Sequence, residues 1–297
     1  MLRRVLKYIR DKELLKKGAK VLVCVSGGAD SIALLDVLQR GGFDCVVAHC
    51  NFHLRGAESN RDEAFVKGLG DEAMKVHVKH FDTIGYAKAN GLSIEMAARE
   101  LRYQWFAKVA ASEGCEAIAV AHHQNDQAET VLLNLKRGTG IRGLCGMRAK
   151  SENAYEAKSE GVSIIRPLLC TTRDYIEHYL RDIRGLAWVE DSTNSDIQIK
   201  RNAVREQLKC YSKAEIEHIA ATAERMQGYV DWLEGKETRE AGQVKLFEEL
   251  KDYGFVEIDK IYDALQRGVG NKEFCSATHR AVIRKGEIIV ERLKARH

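Results

Sequence analysis

Ser26-Gly27-Gly28-Ala29-Asp30-Ser31 separates an apolar run at residues 21–25 from a stretch at residues 32–38 whose apolar side chains recur at helical spacing. The apolar run is typical of a buried parallel strand. Glycines in a tight turn allow the backbone to approach a ligand closely, and the first amides of a helix point outward without partners inside the helix. We therefore predict a strand, loop and helix that bind an anion, with Ser31 as the candidate N-cap of the helix.

This loop differs from the commoner phosphate-binding loops. It contains neither G-x-x-x-x-G-K-[ST] nor G-x-G-x-x-G, and it places an acid, Asp30, inside the anion site. A carboxylate beside phosphates is repulsive unless a cation lies between them, so Asp30 indicates Mg²⁺ or a polar group of a substrate. The pattern S-G-G-x-D-S resembles the pyrophosphate loop of the ATP-pyrophosphatase superfamily, whose members cleave ATP between its α and β phosphates. An ordinary strand-to-helix turn is the alternative interpretation.

The composition narrows the class of protein. The chain has 297 residues, enough for one large domain and a smaller one, and its 45% hydrophobic and 30% charged residues are typical of a soluble globular protein. No apolar run is long enough to span a bilayer and the N-terminus lacks the apolar core of a signal peptide, so we expect a cytoplasmic protein without a membrane partner. The net charge of +4 is weak evidence for nucleic acid.

The cysteine pattern argues against a metal cluster. Eight cysteines occur, but none forms a C-x-x-C pair, and several lie in apolar runs where cysteine behaves as a small hydrophobic residue. Zinc or iron–sulfur ligation and a disulfide framework are therefore not expected.

The order of elements predicts the fold and the place of the site. Strands alternate with helices over residues 20–167, which indicates an α/β fold with a doubly wound, mostly parallel sheet. Ligands bind such sheets outside the carboxyl ends of the strands. Three predicted strands end in polar residues, and these residues are the Ser26 loop, His49 with Asn51, and His122 with Asp126. Because these ends meet at one edge of the sheet, we expect an active site there.

A helix is predicted within residues 91–114, with Ser93 as its candidate N-cap. Glu95, Arg99 and Arg102 fall on one face of it. One acid and two arginines next to Tyr103 and Trp105 are more than solubility requires; the alternative is a solvated charged face that contains an ion pair.

A second helix is predicted from about residue 126 to residue 137, and Asp126 and Glu129 share a face near its start. Compensation of the helix dipole is the simpler explanation of these acids. A metal site formed by His122, His123 and Asp126 is conceivable, although its spacing matches no zinc motif.

The remaining stretches predict further elements. A helix at residues 1–17 is expected to cover the sheet, with a basic surface for RNA as the alternative. The basic, glycine-rich segment at residues 136–144 is typical of a loop that approaches phosphates, or of a linker. One long helical stretch at residues 214–242 is expected to be interrupted at Gly228, and a hairpin is predicted to turn near residues 285–286.

Five blocks of sequence together resemble the bacterial tRNA(Ile)-lysidine synthases, a family within the PP-loop (ATP-pyrophosphatase) superfamily. They span residues 26–205 in the order expected for that family. The blocks are S-G-G-A-D-S from Ser26, H-C-N-F-H-L-R-G from His49, E-M-A-A-R-E-L-R-Y from Glu95, H-H-Q-N-D-Q-A-E-T from His122 leading into R-G-T-G-I-R-G-L, and W-V-E-D-S-T-N from Trp188 with R-N-A-V-R from Arg201.

The resemblance implies a reaction and a domain organisation. Members of the family use ATP to adenylate O2 of the wobble cytidine of tRNA(Ile) with a CAU anticodon, and the ε-amine of free L-lysine then displaces AMP. It implies a Rossmann-like PP-loop catalytic domain at residues 1–185, a helical tRNA-binding or linker domain at 186–245, and the start of a C-terminal tRNA-binding region at 246–297. A truncated C-terminal region and a homodimer are also expectations.

The resemblance also implies roles for the residues that match its motifs. The implied ATP-binding residues are Ser26, Gly27, Gly28, Ala29, Asp30, Ser31, His49 and Asn51. The implied catalytic residues are Asp30, His122, Asp126 and Glu129. The implied contacts to substrate or phosphate are Arg99, Arg102, Arg201 and Arg205. Asp30 and Asp126 are the implied ligands of Mg²⁺.

The chain departs from the family pattern at two places, where Asn125-Asp126 replaces a frequent pair of acids and Phe52 replaces a frequent histidine. Three other functions remain open as alternatives. A tRNA thiolase would typically carry C-x-x-C pairs, which this chain lacks, and an ammonia-using synthetase disagrees with the blocks at His49 and His122. A non-catalytic RNA-binding protein would need neither Asp30 nor Asp126.

Overall fold

The computed structural model describes residues 1–70, 74–151, 162–190, 199–284 and 286–293, with the side chains of residues 199–202 outside the description. The chain divides into two compact units. The first unit consists of Met1–Leu133 and Met147–Ala220, and the second of Asn134–Gly146 and Ala221–His297. Among the helices of the described residues, none combines the length and the apolarity that crossing a bilayer requires.

The first unit contains a six-stranded sheet in the order β3-β2-β1-β4-β6-β5. Its strands are β1 (Lys20–Cys24), β2 (Asp44–Asn51), β3 (Val76–His80), β4 (Ala117–Ala119), β5 (Lys150–Ser151) and β6 (Ser163–Ile165). All neighbouring strands pair in parallel except β5, which is antiparallel to β6. The predicted doubly wound, mostly parallel sheet is thus confirmed.

Helices cover the sheet and extend into the second unit. They are α1 (Leu2–Asp11), α2 (Ala29–Arg40), α3 (Ala57–Lys67), α4 (Thr83–Asn90), α5 (Ile94–Glu113), α6 (Gln124–Arg137), α7 (Ile141–Leu144), α8 (Arg173–His178), α9 (Ile199–Leu208), α10 (Lys213–Leu233), α11 (Arg239–Leu250) and α12 (Ile258–Gln266). Short 3-10 helices occur at Pro167–Cys170 and Lys251–Tyr253, and α8 continues as a π-helix at Tyr179–Arg184.

Side chains that alternate along β1 build a core on each face of the sheet. Val21 and Val23 pack in one core with residues of α2 and the π-helix, among them Leu34. Leu22 packs in the other core with Phe106 of α5. Strands that are apolar on both faces are typical of a parallel sheet between helix layers. Helix α1 joins the first of these cores, as its predicted covering role requires.

The strand order reverses between β1 and β4, because the chain first builds β2 and β3 on one side of β1 and then returns to place β4 on the other. This reversal creates a crevice at the carboxyl ends of β1 and β4, which is where open α/β sheets bind ligands. The Ser26 loop follows β1 and the two histidines at 122 and 123 follow β4. The fold therefore brings these two predicted motifs to the same edge.

The second unit contains a small antiparallel sheet of β7 (Glu273–Cys275), β8 (His279–Arg284) and β9 (Glu287–Arg292). Its core unites this sheet with α11 and α12 through Leu246, Ile261 and Ile283 among others. The predicted hairpin is confirmed by the antiparallel pairing of β8 with β9, although residue 285 lies outside the described residues.

The predicted interruption at Gly228 is wrong, because α10 runs through it without a break and the chain leaves the helix after Leu233. A Cβ atom at Gly228 would lie 2.7 Å from the carbonyl oxygen of Glu240 and 2.9 Å from Val244. Gly228 is therefore a site of close packing between α10 and α11, where a side chain would not fit. The bend lies instead around Gly235, whose φ of +67° favours glycine.

Candidate active site

The Ser26 loop is closed by its own side chains. Gly27 has a φ of +96°, which L-residues rarely adopt, and its carbonyl accepts a hydrogen bond of 2.9 Å from the amide of Val189. The predicted N-cap role of Ser31 is wrong, because Gly28 occupies the N-cap and Ser31 lies inside the first turn of α2. The Ser31 hydroxyl instead donates to the carbonyl of Gly28 at 2.9 Å and accepts from the amide of Ser26 at 3.2 Å.

Asp30 points out of this loop toward two cationic side chains. Its Oδ2 accepts a hydrogen bond of 2.9 Å from Nη1 of Arg173, at the start of α8. Its Oδ1 lies 3.6 Å from Nε2 of His123, is buried, and has no hydrogen-bond partner among the described residues. The carboxylate is thus half satisfied, which is unusual for a buried polar group.

His123 links Asp30 to Asp126. Its Nε2 lies 3.4 Å from Oδ2 of Asp126, and its backbone amide donates to the same oxygen at 2.9 Å. Burial alone would lower the pKa of His123, but the carboxylates of Asp126 and Asp30 outweigh it and raise that pKa. Burial raises the pKa of Asp126, yet the neighbouring His123 and His122 outweigh burial and lower it. A carboxylate, an imidazole and a second carboxylate therefore form a continuous chain.

His122 lies in a different environment from His123. Burial lowers the pKa of His122 to about 4, the carboxylate of Asp126 opposes this, and the charges of Arg166 and Arg99 add to the lowering. Its Nδ1 is buried without a partner in the part of the chain that the structure describes. His122 is therefore neutral at physiological pH, while His123 is the histidine that connects the two aspartates.

Arg166, which the sequence analysis did not single out, follows β6 at the same edge and is 7% exposed. Its Nη1 donates to the carbonyl of Arg148 at 2.8 Å and to the hydroxyl of Ser151 at 3.0 Å. Burial lowers the pKa of Arg166 and the nearby Tyr103 opposes this change. Its position directly after the apolar strand β6 is the sequence feature from which Arg166 could have been predicted as a site residue.

Helix α5 begins as predicted, since the Ser93 side chain accepts from the amide of Met96. Its two candidate arginines lie on aromatic rings. The guanidinium carbon of Arg99 is 5.1 Å from the centre of the Tyr103 ring, and that of Arg102 is 5.2 Å from the centre of the Phe52 ring. Cation–π contacts of this kind orient a guanidinium without neutralising its charge.

Glu129 is buried and forms an ion pair with Arg205, whose Nε lies 2.7 Å from Oε2 of the carboxylate. Val204 on α9 packs against Ala128 on α6 and brings Arg205 into place. The backbone of Arg201 belongs to α9, but its side chain lies outside the described residues, as do residues 191–194 of the block that begins at Trp188.

His49 and Asn51 are bound to the chain's own groups. His49 is buried, its Nδ1 donates to the carbonyl of Val25 at 2.8 Å, and burial lowers its pKa. The Asn51 amide donates to Oε2 of Glu63 at 2.7 Å, and its oxygen accepts from the amide of His53 at 3.0 Å. A hydrogen bond from Lys67 holds the pKa of Glu63 at about 2, so Glu63 is ionised and anchors this corner.

A complete metal site is not preformed: within the described residues, no group of three or more His, Cys, Asp and Glu side chains is arranged to hold an ion. Mg²⁺ in phosphate-binding sites usually takes one or two carboxylates and completes its shell with water and phosphate oxygens. Asp30, with an unpartnered buried oxygen, and Asp126 match such a partial set. All eight cysteines are described and free of disulfides.

Comparison with known proteins identifies two domains in the chain. The profile of the PP-loop domain matches residues 1–210, and the profile of the TilS substrate binding domain matches residues 233–293. Curated relatives named tRNA(Ile)-lysidine synthase include those of Bacteroides thetaiotaomicron and Parabacteroides distasonis. The first is 50% identical over 203 residues, which are 68% of this chain and 45% of the relative. The second is 44% identical over an alignment of 302 positions, which covers 92% of this chain and 66% of the relative.

A solved structure supports the fold. The U34-tRNA thiolase of Methanococcus maripaludis superposes with a TM-score of 0.61 at 19% identity and covers 76% of this chain and 77% of that one. At such low identity the likeness shows the fold alone. The chain spans about half to two thirds of the length of the curated relatives it matches, 45% and 66% in the two cases above. Since the PP-loop profile matches residues 1–210 of its 297, the chain belongs to the PP-loop domain family.

Proposed function

We propose that this chain forms lysidine on tRNA(Ile). In the first half-reaction, O2 of the wobble cytidine attacks the α-phosphate of ATP, and pyrophosphate leaves. In the second, the ε-amine of free L-lysine attacks C2 of the adenylated base, and AMP leaves. The proposal is supported by the curated relatives, which carry the name tRNA(Ile)-lysidine synthase, and by the match to a TilS substrate binding domain.

The observation that carries the proposal is the chain of Asp30, His123 and Asp126 beside an anion-binding loop at the switch point of the sheet. The loop from Ser26 to Ser31 offers backbone amides to the phosphates of ATP. Asp30 and Asp126 would hold Mg²⁺, which supplies charge stabilisation for the phosphates when it is bound. Arginine at such a site stabilises the negative charge that develops on phosphorus-bound oxygens.

Attack by lysine requires that its ammonium lose a proton. Neutral His122 is able to accept a proton, although its pKa of about 4 makes it a weak base. Asp126, whose carboxylate stays ionised beside His123, is the stronger candidate for pairing with the ammonium. Glu129 is paired with Arg205 in the free protein, so its proposed role requires that this pair open.

The remaining proposed roles follow the family pattern. Arg99, Arg102, Arg201 and Arg205 would contact phosphate or tRNA. His49 and Asn51 would shape the nucleotide pocket through the contacts described above. We also propose the domain limits at residues 185 and 245, a homodimer, and action in the cytoplasm, where tRNA with a CAU anticodon, ATP and lysine meet.

The test is an assay of pyrophosphate release with purified tRNA and each amino acid in turn. We expect release with tRNA(Ile) bearing CAU, and incorporation of labelled lysine alone among the amino acids. Release that does not depend on RNA, or transfer of sulfur to the tRNA, would contradict the proposal. The absence of C-x-x-C pairs from the sequence favours lysidine formation over the thiolase alternative.

A further inference from the structure

Arg173 pairs with the carboxylate of Asp30 through a side chain that is nearly half exposed. Its side chain is 46% exposed, against 24% for Asp30. Its Nε also pairs with Oε1 of Glu177 at 3.0 Å, one turn along α8, and its backbone amide donates to Oδ1 of Asn125 at 3.0 Å. Asn125 fixes the backbone of Arg173 and Glu177 holds its Nε, so Nη1 can exchange its contact with Asp30 without the helix moving.

Asp30 is poised for another cation. One of its oxygens is taken by Arg173, and the other is buried without a hydrogen-bond partner in the described part of the chain. A divalent cation bound to this carboxylate would lie beside the guanidinium of Arg173 and the imidazole of His123. Like charges at such separations repel strongly where water is scarce. Arg173 and a divalent cation therefore compete for Asp30.

The segment that carries Arg173 also has unused hydrogen-bonding groups. The hydroxyls of Thr171 and Thr172 are buried, and no described group accepts from them or donates to them. Thr172 occupies the N-cap of α8, yet its side chain makes no capping hydrogen bond. Threonine at an N-cap normally satisfies a backbone amide. Two hydroxyls without hydrogen-bond partners in the described residues, next to Arg173, indicate an anionic ligand whose oxygens would accept hydrogen bonds from this segment.

We propose that Arg173, which pairs with Asp30, is a phosphate-binding residue that moves onto the triphosphate when magnesium nucleotide binds at Asp30. The inference rests on the proposed use of Mg²⁺ and ATP. A guanidinium can bind two phosphate oxygens at once, whereas the ammonium of a lysine acts as a single point charge. Glu177 keeps its contact with Nε of Arg173, and the Thr172 hydroxyl is an additional donor on the same segment.

Arg184 provides a matched control, because it forms an arginine–aspartate pair between the same two segments of chain. Its Nη2 lies 3.0 Å from Oδ1 of Asp36, which is on α2 like Asp30. Arg184→Met therefore removes a comparable ion pair from the same layer of the fold. Asp36 has no unpartnered oxygen to offer a metal, since Tyr179 also donates to it.

The experiment uses two titrations of the full chain without tRNA. Mn²⁺ alone is titrated and followed by electron paramagnetic resonance, and a non-hydrolysable ATP analogue with Mg²⁺ is titrated by calorimetry. For Arg173→Met we expect Mn²⁺ to bind several-fold more tightly, because its competitor is gone. We expect the nucleotide to bind about 10-fold or more weakly, because a charge-assisted hydrogen bond is lost. Arg184→Met should match the wild type in both titrations.

Tighter Mn²⁺ binding together with weaker nucleotide binding would show that Arg173 exchanges between Asp30 and the triphosphate. A purely structural ion pair predicts no change in either affinity. Unchanged or weaker Mn²⁺ binding by Arg173→Met, or unchanged nucleotide binding, would overturn the inference while leaving the proposed function intact. A wild-type chain that binds no magnesium nucleotide would contradict both. If Arg173→Met does not fold, Arg173→Lys replaces it in both titrations. Because lysine keeps the positive charge, we expect this variant to bind Mn²⁺ with wild-type affinity and the nucleotide more weakly. Wild-type affinity for the nucleotide would count against exchange.

Discussion

Helix α2 carries two aspartates that pair with arginines from the same neighbouring segment, and the two pairs differ in how complete they are. Asp36 accepts from Arg184 on both oxygens and from the Tyr179 hydroxyl, which in turn accepts from Arg40. Asp30 accepts from Arg173 on one oxygen, and its other oxygen is buried 3.6 Å from Nε2 of His123 without a hydrogen-bond partner in the described residues. Because unsatisfied buried groups cost free energy, the saturated pair is expected to stabilise the fold and the unsaturated one to bind a ligand.

A large effect is expected at Asp126, which contacts the same imidazole, His123, as Asp30 does. Asp126→Asn should lower lysine incorporation about 100-fold or more, because it removes the charge that accompanies proton transfer. Incorporation of labelled lysine into tRNA(Ile) measures this. Asp174→Asn, at an exposed carboxylate of α8, is the matched control and should retain activity. Equal activities of the two variants would place the reaction away from this edge.

Asp36→Asn tests the pair in which both carboxylate oxygens have partners. The change removes the charge that binds the buried Tyr179 hydroxyl and the partly exposed Arg184, so we expect the free energy of unfolding to fall by about 1–3 kcal/mol. Asp30→Asn should change it by less than about 1 kcal/mol, since that carboxylate is already half satisfied. Urea denaturation compares the two. A greater loss of stability from Asp30→Asn than from Asp36→Asn would invert the comparison.

Glu63 extends the comparison to a third carboxylate, which accepts from Asn51 and pairs with Lys67 and His80. The bond from Lys67 lowers the pKa of Glu63 from 4.5 to about 2. Because this pKa is depressed by folding, its stabilising contribution is present above pH 4.5 and is lost as the pH falls toward 2.

The wild-type chain should therefore lose stability between pH 4.5 and pH 2 more steeply than Glu63→Gln. Urea midpoints at a series of pH values across this window measure the two slopes. Parallel slopes for the two proteins would mean that Glu63 is not held ionised by its partners in the folded state.

The smallest effect is expected from Glu177→Gln, which removes the second partner of Arg173 and leaves Asp30 untouched. The pair is partly exposed, so its contribution should correspond to about 2- to 5-fold in affinity. Calorimetric titration of magnesium nucleotide measures the change. A loss as large as that of Arg173→Met would show that Glu177, and not Asp30, governs the position of the guanidinium.

The sequence contained most of the fold and the location of the site. Hydrophobic runs bounded by glycine and polar residues marked β1 and β4, and the parallel sheet then placed the Ser26 loop and His122 at one edge because strand ends converge there. The N-cap of α5 at Ser93 was also predictable from the sequence, because N-capping is a local interaction.

The pairings within the site were not readable, because they depend on contacts distant in sequence. Arg173 meets Asp30 across 143 positions, and no local pattern connects them. The choice between His122 and His123 depends on which way each ring faces the sheet edge. The predicted interruption at Gly228 was wrong for a related reason. A glycine in a helical stretch indicates either a break in the helix or close packing against a second helix, and only the position of the second helix distinguishes the two.

We propose that Asp30, and not Asp36, is the catalytic carboxylate of α2. Release of pyrophosphate from ATP, measured with tRNA(Ile) and corrected for the folded fraction of each variant, tests it most directly. We predict that Asp30→Asn loses about 1,000-fold or more in rate while it retains tRNA binding, and that Asp36→Asn keeps nearly the wild-type rate. Comparable rates for the two variants, or a parallel loss of tRNA binding by Asp30→Asn, would contradict the account.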